Sequence, residues 1–193
     1  MYLLAAWIFF GVLHSVFASG TVKRTAMQLM QHGYRFYRIL YSLMATASLF
    51  IVLHYHFSCH WLLLWNPPLI QSIPAFISAV AGLVIMVICI RKYFMDLSGI
   101  DALMQTQRLL VLQTDGMHAY VRHPLYSGTL LFIWAIFFAY PYLNNLISCI
   151  CITAYTLVGM YFEEKKLVGE YGQAYKEYQK NVPGLLPIPF WKT

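Results

Sequence analysis

A chain of 193 residues that is 60% apolar and only 10% charged lies outside the composition of water-soluble domains. Its formal net charge of +6 comes from basic residues that border apolar runs instead of forming a stripe, which argues against nucleic acid and for anionic lipid headgroups. No Asp, Glu, Lys or Arg occurs between Ile39 and Ile90, nor between His123 and Phe162. Hydrocarbon penalises each such charge by roughly 2.5–3.5 kcal/mol at the bilayer centre, so these runs belong in a membrane. The expectation is an all-α integral membrane protein, a bundle of about five transmembrane helices.

In chain order, the first span runs from about Tyr2 to Phe17 and lacks the basic flank and small-residue cleavage site of a signal peptide. The second covers roughly Phe36 to Phe57, and the third Ile73 to Ile90, after a loop broken by Pro67, Pro68 and Pro74. Leu125 to Ala139 and Leu146 to Phe162 follow as two arms of a hairpin around Pro141. Most are near the roughly 20 residues that a crossing helix needs. With the N-terminus outside, segments 18–38, 91–122 and 163–193 face inward and hold all 13 Lys and Arg residues. The outer connections hold none, as the positive-inside rule requires. The seven acidic residues lie on the inner side as well, so any ionic site opens there. The C-terminus is cytosolic in this orientation, and a bacterial inner membrane is the expected location. One membrane domain spans 1–193, divided into a three-helix part over 1–95 and the remainder over 96–193.

The dense cluster is Arg122-His123-Pro124-Leu125-Tyr126-Ser127-Gly128. Pro124 suits the first position of a helix, where a missing N–H loses nothing. Arg122 and His123 then sit beside free backbone donors and the positive end of the dipole, a place for an anion. Gly128 is expected to let a ligand approach the backbone. The hairpin sets Glu163 and Glu164, expected at a helix end, at the depth of Arg122 and His123. A structural ion pair and a functional site both account for that pairing.

Gly116, Tyr120-Val121-Arg122-His123-Pro124-Leu125-Tyr126-Ser127-Gly128, Glu163-Glu164 and the tail Leu167, Tyr171-Gly172, Tyr175, Tyr178, Val182-Pro183 and Pro187 together resemble the isoprenylcysteine carboxyl methyltransferase family. The likeness covers roughly 110–190. The N-terminal half, with Leu13-His14-Ser15-Val16-Phe17-Ala18, Lys23, Arg35, Tyr37, Arg38 and Tyr41, is similar to its bacterial branch of NnrU and methanethiol S-methyltransferase proteins. The resemblance implies a C-terminal cytosolic segment that binds S-adenosylmethionine, and a small or lipophilic acceptor reached from the bilayer. His123, Pro124, Tyr126, Gly128, Glu163 and Glu164 would hold the cofactor. Arg122 would be catalytic, anchoring a carboxylate or orienting the acceptor. Beside the resemblance, His14 is a catalytic candidate as an ionisable residue within a membrane span, and His14 or Glu163 would serve as the base for a thiol acceptor. The methyl would go to a thiol or a carboxylate. Two positions depart from the family: Val158-Gly159-Met160-Tyr161-Phe162, just before the acidic pair, holds no basic residue, and His118 stands where an aromatic is usual.

The competing readings are an NADPH-dependent membrane reductase resembling sterol reductases, and a non-catalytic scaffold that keeps the pocket. No metal site is expected. Cys59, Cys89, Cys149 and Cys151 have no ligand spacing, and His54, His56 and His60 are read as interfacial or loop residues.

Overall fold

The computed structural model describes residues 2–58, 62–98 and 112–187. Seven α-helices are described: α1 Tyr2–Ala18, α2 Gly20–Met30, α3 Tyr37–Ser58, α4 Leu69–Ser98, α5 Pro124–Ala139, α6 Leu143–Tyr171 and α7 Gln173–Asn181. Short 3-10 turns cover Gln31–Phe36 and Gly116–Ala119. Three helices are long and apolar enough to cross a bilayer by themselves: α3, α4 and α6. The bent pair of α1 and α2, at 59°, makes a possible fourth span, and α5 is a shorter apolar helix. The five apolar segments read from the sequence are all helical.

Three boundaries differ from the sequence reading. α4 begins at Leu69, not Ile73, and carries Pro74 inside it. Its start is pinned by the Gln71 amide donating to the Pro68 carbonyl (2.9 Å) and the Gln71 side chain donating to the Phe138 carbonyl (3.1 Å). α6 does not stop at Phe162 but continues to Tyr171, so Glu163 and Glu164 lie within a helix and not at its end. Its 29 residues span roughly 44 Å, more than the roughly 30 Å hydrocarbon layer, and the polar last turns emerge from it. α2 is a separate helix behind a Ser19 cap, whose hydroxyl accepts from the Val22 amide (3.3 Å).

Side chains such as Phe50, Phe57, Ile70 and Phe76 are exposed, as they must be when lipid covers them. Without a hydrophobic drive between helices, close backbone approach and hydrogen bonds hold the bundle. Gly82 of α4 and Gly128 of α5 make the tightest crossing. A Cβ at Gly82 would lie 2.7 Å from the Gly128 oxygen, and one at Gly128 would lie 2.8 Å from Ile85 Cγ2. α1, α3 and α6 share a core of Leu3, Ala6 and Val52, with Trp7, Phe10, Tyr55 and Ile147 around it. A polar network crosses the same three helices. Trp7 Nε1 donates to Ser148 Oγ (3.0 Å), which meets His56 Nδ1 (3.1 Å), and Asn144 approaches His56 Nε2 (3.1 Å). His56 therefore belongs to the interior of the bundle, whereas Cys59 and His60 lie outside the described residues. The connection before α4 and the turn between α5 and α6 are tied by Leu64 N donating to Pro141 O and Leu143 N to Leu62 O, both at 2.9 Å.

Candidate active site

Helix α5 starts where the sequence places it. His123 caps it, Pro124 occupies the first turn, and Ser127 turns its hydroxyl back on the His123 carbonyl (3.0 Å). The chain after α7 folds against this start: the Arg122 amide donates to the Pro183 carbonyl (2.8 Å) and the His123 amide to that of Gly184 (3.0 Å). Gly172 makes the fold-back feasible. It stands between α6 and α7 at φ +57°, in the left-handed region that a side chain disfavours.

Arg122 is a staple across this junction. Its Nε and Nη2 donate to Glu164 Oε1 at 2.8 and 2.7 Å, and its Nη1 donates to the carbonyls of Gln179 and Val182. The pair is largely shielded, with side-chain exposures of 12% and 18%. Glu164 also receives Gln179 Nε2 at 3.0 Å and faces His123 Nε2 at 3.1 Å. This arrangement bears on two expectations from the sequence. The Arg122 guanidinium binds protein carboxylate and carbonyls, so it is not a free anchor for an acceptor carboxylate. Glu164 supports Arg122 and His123 from behind and is not among the described residues lining the cavity.

That cavity has a volume of about 390 Å³. It is lined by Cys89, Leu112, Gln113 and His118, by Arg122 to Tyr126 at the start of α5, and by Glu163, Leu167, Tyr171, Tyr175 and Tyr178 from α6 and α7. Glu163 is its carboxylate, with a side chain 45% exposed. Tyr126 donates its hydroxyl to Glu163 Oε2 (2.9 Å), and His123 Nδ1 stands 3.7 Å from the same oxygen. The His123 and Tyr126 rings stack at 5.4 Å. No Lys or Arg pairs with Glu163 among the described residues, so its negative charge faces the cavity while Arg122 is neutralised by Glu164.

His118 meets the Arg122 carbonyl through Nδ1 (3.0 Å), and its own carbonyl accepts from the Tyr178 hydroxyl. Burial lowers the His118 pKa, opposed in part by that backbone bond, with nearby Lys92 pushing the same way as burial. The preceding Asp115 is paired with Lys92 at 3.2 Å, which lowers its carboxyl pKa. Burial, reinforced by Glu164, pushes the Tyr175 phenol up to about 12.

Gly128 does not touch this cavity. Its missing side chain serves the crossing with Gly82, a packing role. His14 is not in the wall either. It lies among aromatics in the bundle, with the Tyr41 hydroxyl at 2.6 Å from Nε2, Phe10 stacked on it and Tyr155 edge-on at 5.9 Å. Sequence reasoning missed Gly82, Gln179 and the two carbonyls that Arg122 uses. An isolated glycine in an apolar helix was the available signal for the first. Carbonyl acceptors leave no sequence signal at all.

The fold and this site define an all-α, multi-pass integral membrane protein with a polar pocket at the end of a helical hairpin. A family profile described as NnrU protein matches residues 2–189, and the chain belongs to that family. It is 35% identical to methanethiol S-methyltransferase 2 of Bradyrhizobium diazoefficiens over 103 residues, 52% of this chain and 36% of that one. Methanethiol S-methyltransferase of Pseudomonas deceptionensis is 40% identical over 75 residues, covering 39% and 28% of the two chains. Protein-S-isoprenylcysteine O-methyltransferase of Schizosaccharomyces pombe is 35% identical over 81 residues, covering 40% and 34%. The chain thus spans about a third of the length of these curated relatives. No solved structure matches it.

Proposed function

We propose that this protein is a membrane methyltransferase that uses S-adenosylmethionine and methylates a thiol or carboxylate on a small or lipophilic acceptor. The observation that carries the reading is the charge of the pocket. Among the described residues its one guanidinium is spent on Glu164, while the Glu163 carboxylate faces the cavity with no Lys or Arg partner and only the His123 ring nearby at 3.7 Å. Such a pocket favours a cation, and it offers phosphates no free basic group among the described residues, which disfavours NADPH. A volume of about 390 Å³ with aromatic and aliphatic walls is in the range of small-ligand sites. The names of the relatives support a methyltransferase class.

When bound, the cofactor supplies an electrophilic methyl on a sulfonium, which becomes a neutral thioether as an acceptor lone pair takes the methyl. Glu163 offers the counter-charge, and Tyr126 fixes the carboxylate by donating to it. Arg122 and Glu164 are positioning residues that hold His123 and the C-terminal segment against α5. In-line transfer needs little beyond orientation and exclusion of water. A base such as His14, held by Tyr41, or Glu163 would take the proton of a thiol acceptor as the new S–C bond forms, and of the two Glu163 lines the cavity. In the orientation set by the basic residues, the pocket opens to the cytosol and the N-terminus lies outside.

Calorimetric titration of the detergent-purified protein with S-adenosylhomocysteine, and with NADPH in parallel, tests the proposal. Saturable binding of the first alone is expected. Binding of NADPH alone would replace it with a reductase, and binding of neither would leave a scaffold.

A further inference from the structure

Tyr175 is only 1% exposed, yet it forms part of the cavity wall. Its ring packs edge-on against Tyr178 at 5.9 Å. Among the described residues the hydroxyl has no hydrogen-bond partner, although Arg122, Glu163 and Glu164 are all near enough to act on it electrostatically. A buried hydroxyl left unsatisfied costs about 1–3 kcal/mol, and folded proteins leave few of them. The neighbouring Tyr178 shows the ordinary solution, since it donates to the His118 carbonyl. Because the Tyr175 phenol titrates only at about 12, it remains a neutral hydroxyl at physiological pH.

The wall combines two chemistries. Leu112, Leu125, Leu167 and Tyr171 supply apolar and aromatic surface suited to a nucleoside. Glu163 and Tyr175 supply polar groups, next to the Arg122–Glu164 pair. We propose that the Tyr175 hydroxyl and the Glu163 carboxylate together form the subsite for the amino-acid end of the nucleoside ligand. Its ammonium is drawn to Glu163, and Tyr175 adds the hydrogen bond that its burial leaves unmade. This assignment rests on the cofactor reading above and deepens it.

Tyr175→Phe removes the hydroxyl and keeps the ring. Melting without ligand is read first, and then the affinities for S-adenosylhomocysteine and for 5′-methylthioadenosine, which has no amino-acid end. The expected result is an unchanged or higher melting temperature, because an unsatisfied group has gone. The same variant should lose roughly fivefold to tenfold in affinity for S-adenosylhomocysteine and less than about twofold for the truncated nucleoside. Unchanged affinity for S-adenosylhomocysteine would overturn the proposal, and with a lowered melting temperature it would make Tyr175 purely structural. Equal losses for both ligands would also overturn it, by moving the hydroxyl to the nucleoside. If the unaltered protein binds neither ligand, the cofactor reading itself falls, a result distinct from each of these.

Discussion

Arg122→Ala is expected to damage the fold before it says anything about chemistry. The substitution removes both donors to Glu164 Oε1 and the donor shared by the Gln179 and Val182 carbonyls. Breaking one side of a buried pair costs about 3–5 kcal/mol, chiefly because the partner is left charged and dry. Here Glu164 keeps Gln179 and His123, and its side chain is 18% exposed, so the lower end applies, about 3 kcal/mol. For a chain of this length each kcal/mol moves the midpoint by about 2–4 °C, which gives a drop of about 6–12 °C. Cys89 and Cys149 are buried, so a thiol-reactive fluorogenic dye in detergent reports the melting. Arg122→Lys keeps the charge but cannot span both the carboxylate and the carbonyls, and it should fall between the two. Adding Glu164→Gln to Arg122→Ala should recover part of the loss, because the stranded charge is then removed. An Arg122→Ala variant that melts within about 2 °C of the unaltered protein would refute the staple.

Three further outcomes follow from the same geometry. Glu163→Gln should weaken S-adenosylhomocysteine roughly tenfold, about 1.4 kcal/mol, and hardly change 5′-methylthioadenosine in calorimetry; an equal loss for both would move Glu163 away from the charged end. His118 has a folded pKa below its unfolded value of 6.5, so the stability it concerns is intact above about pH 6.5 and is lost as pH falls through the lower folded pKa. Melting temperature should therefore drop as pH falls below about 6.5, and His118→Gln should flatten that part of the profile; an identical profile in the variant would assign the acid sensitivity elsewhere. Gly82→Ala sets a methyl 2.7 Å from the Gly128 carbonyl and 2.8 Å from the Phe132 amide, backbone atoms that cannot turn aside. It should cost at least the upper part of the usual overpacking range, about 3 kcal/mol, visible as a lower melting temperature, whereas tolerance would mean that α4 and α5 slide freely.

Charge placement and hydropathy determined by themselves that the chain is an all-α membrane protein and roughly where its helices lie, because hydrocarbon excludes charge whatever the packing. They also determined that α5 begins at Pro124, since proline at a helix start is a local backbone property. The facing of Arg122 and Glu164 was legible from two arms of similar length around a short turn. What each side chain does was not. Gly128 and Tyr126 belong to one motif, yet one packs against Gly82 and the other orders a pocket carboxylate, because only the crossing of α4 and α5 decides which side of α5 is covered. Glu163 and Glu164 are neighbours in sequence and take different roles, one facing the cavity and one bound to Arg122, because successive residues on a helix point about 100° apart. The extension of α6 to Tyr171 and the return of residues 183–184 onto Arg122 and His123 came from backbone hydrogen bonds, which any residue but proline can donate and which therefore leave no mark in the sequence.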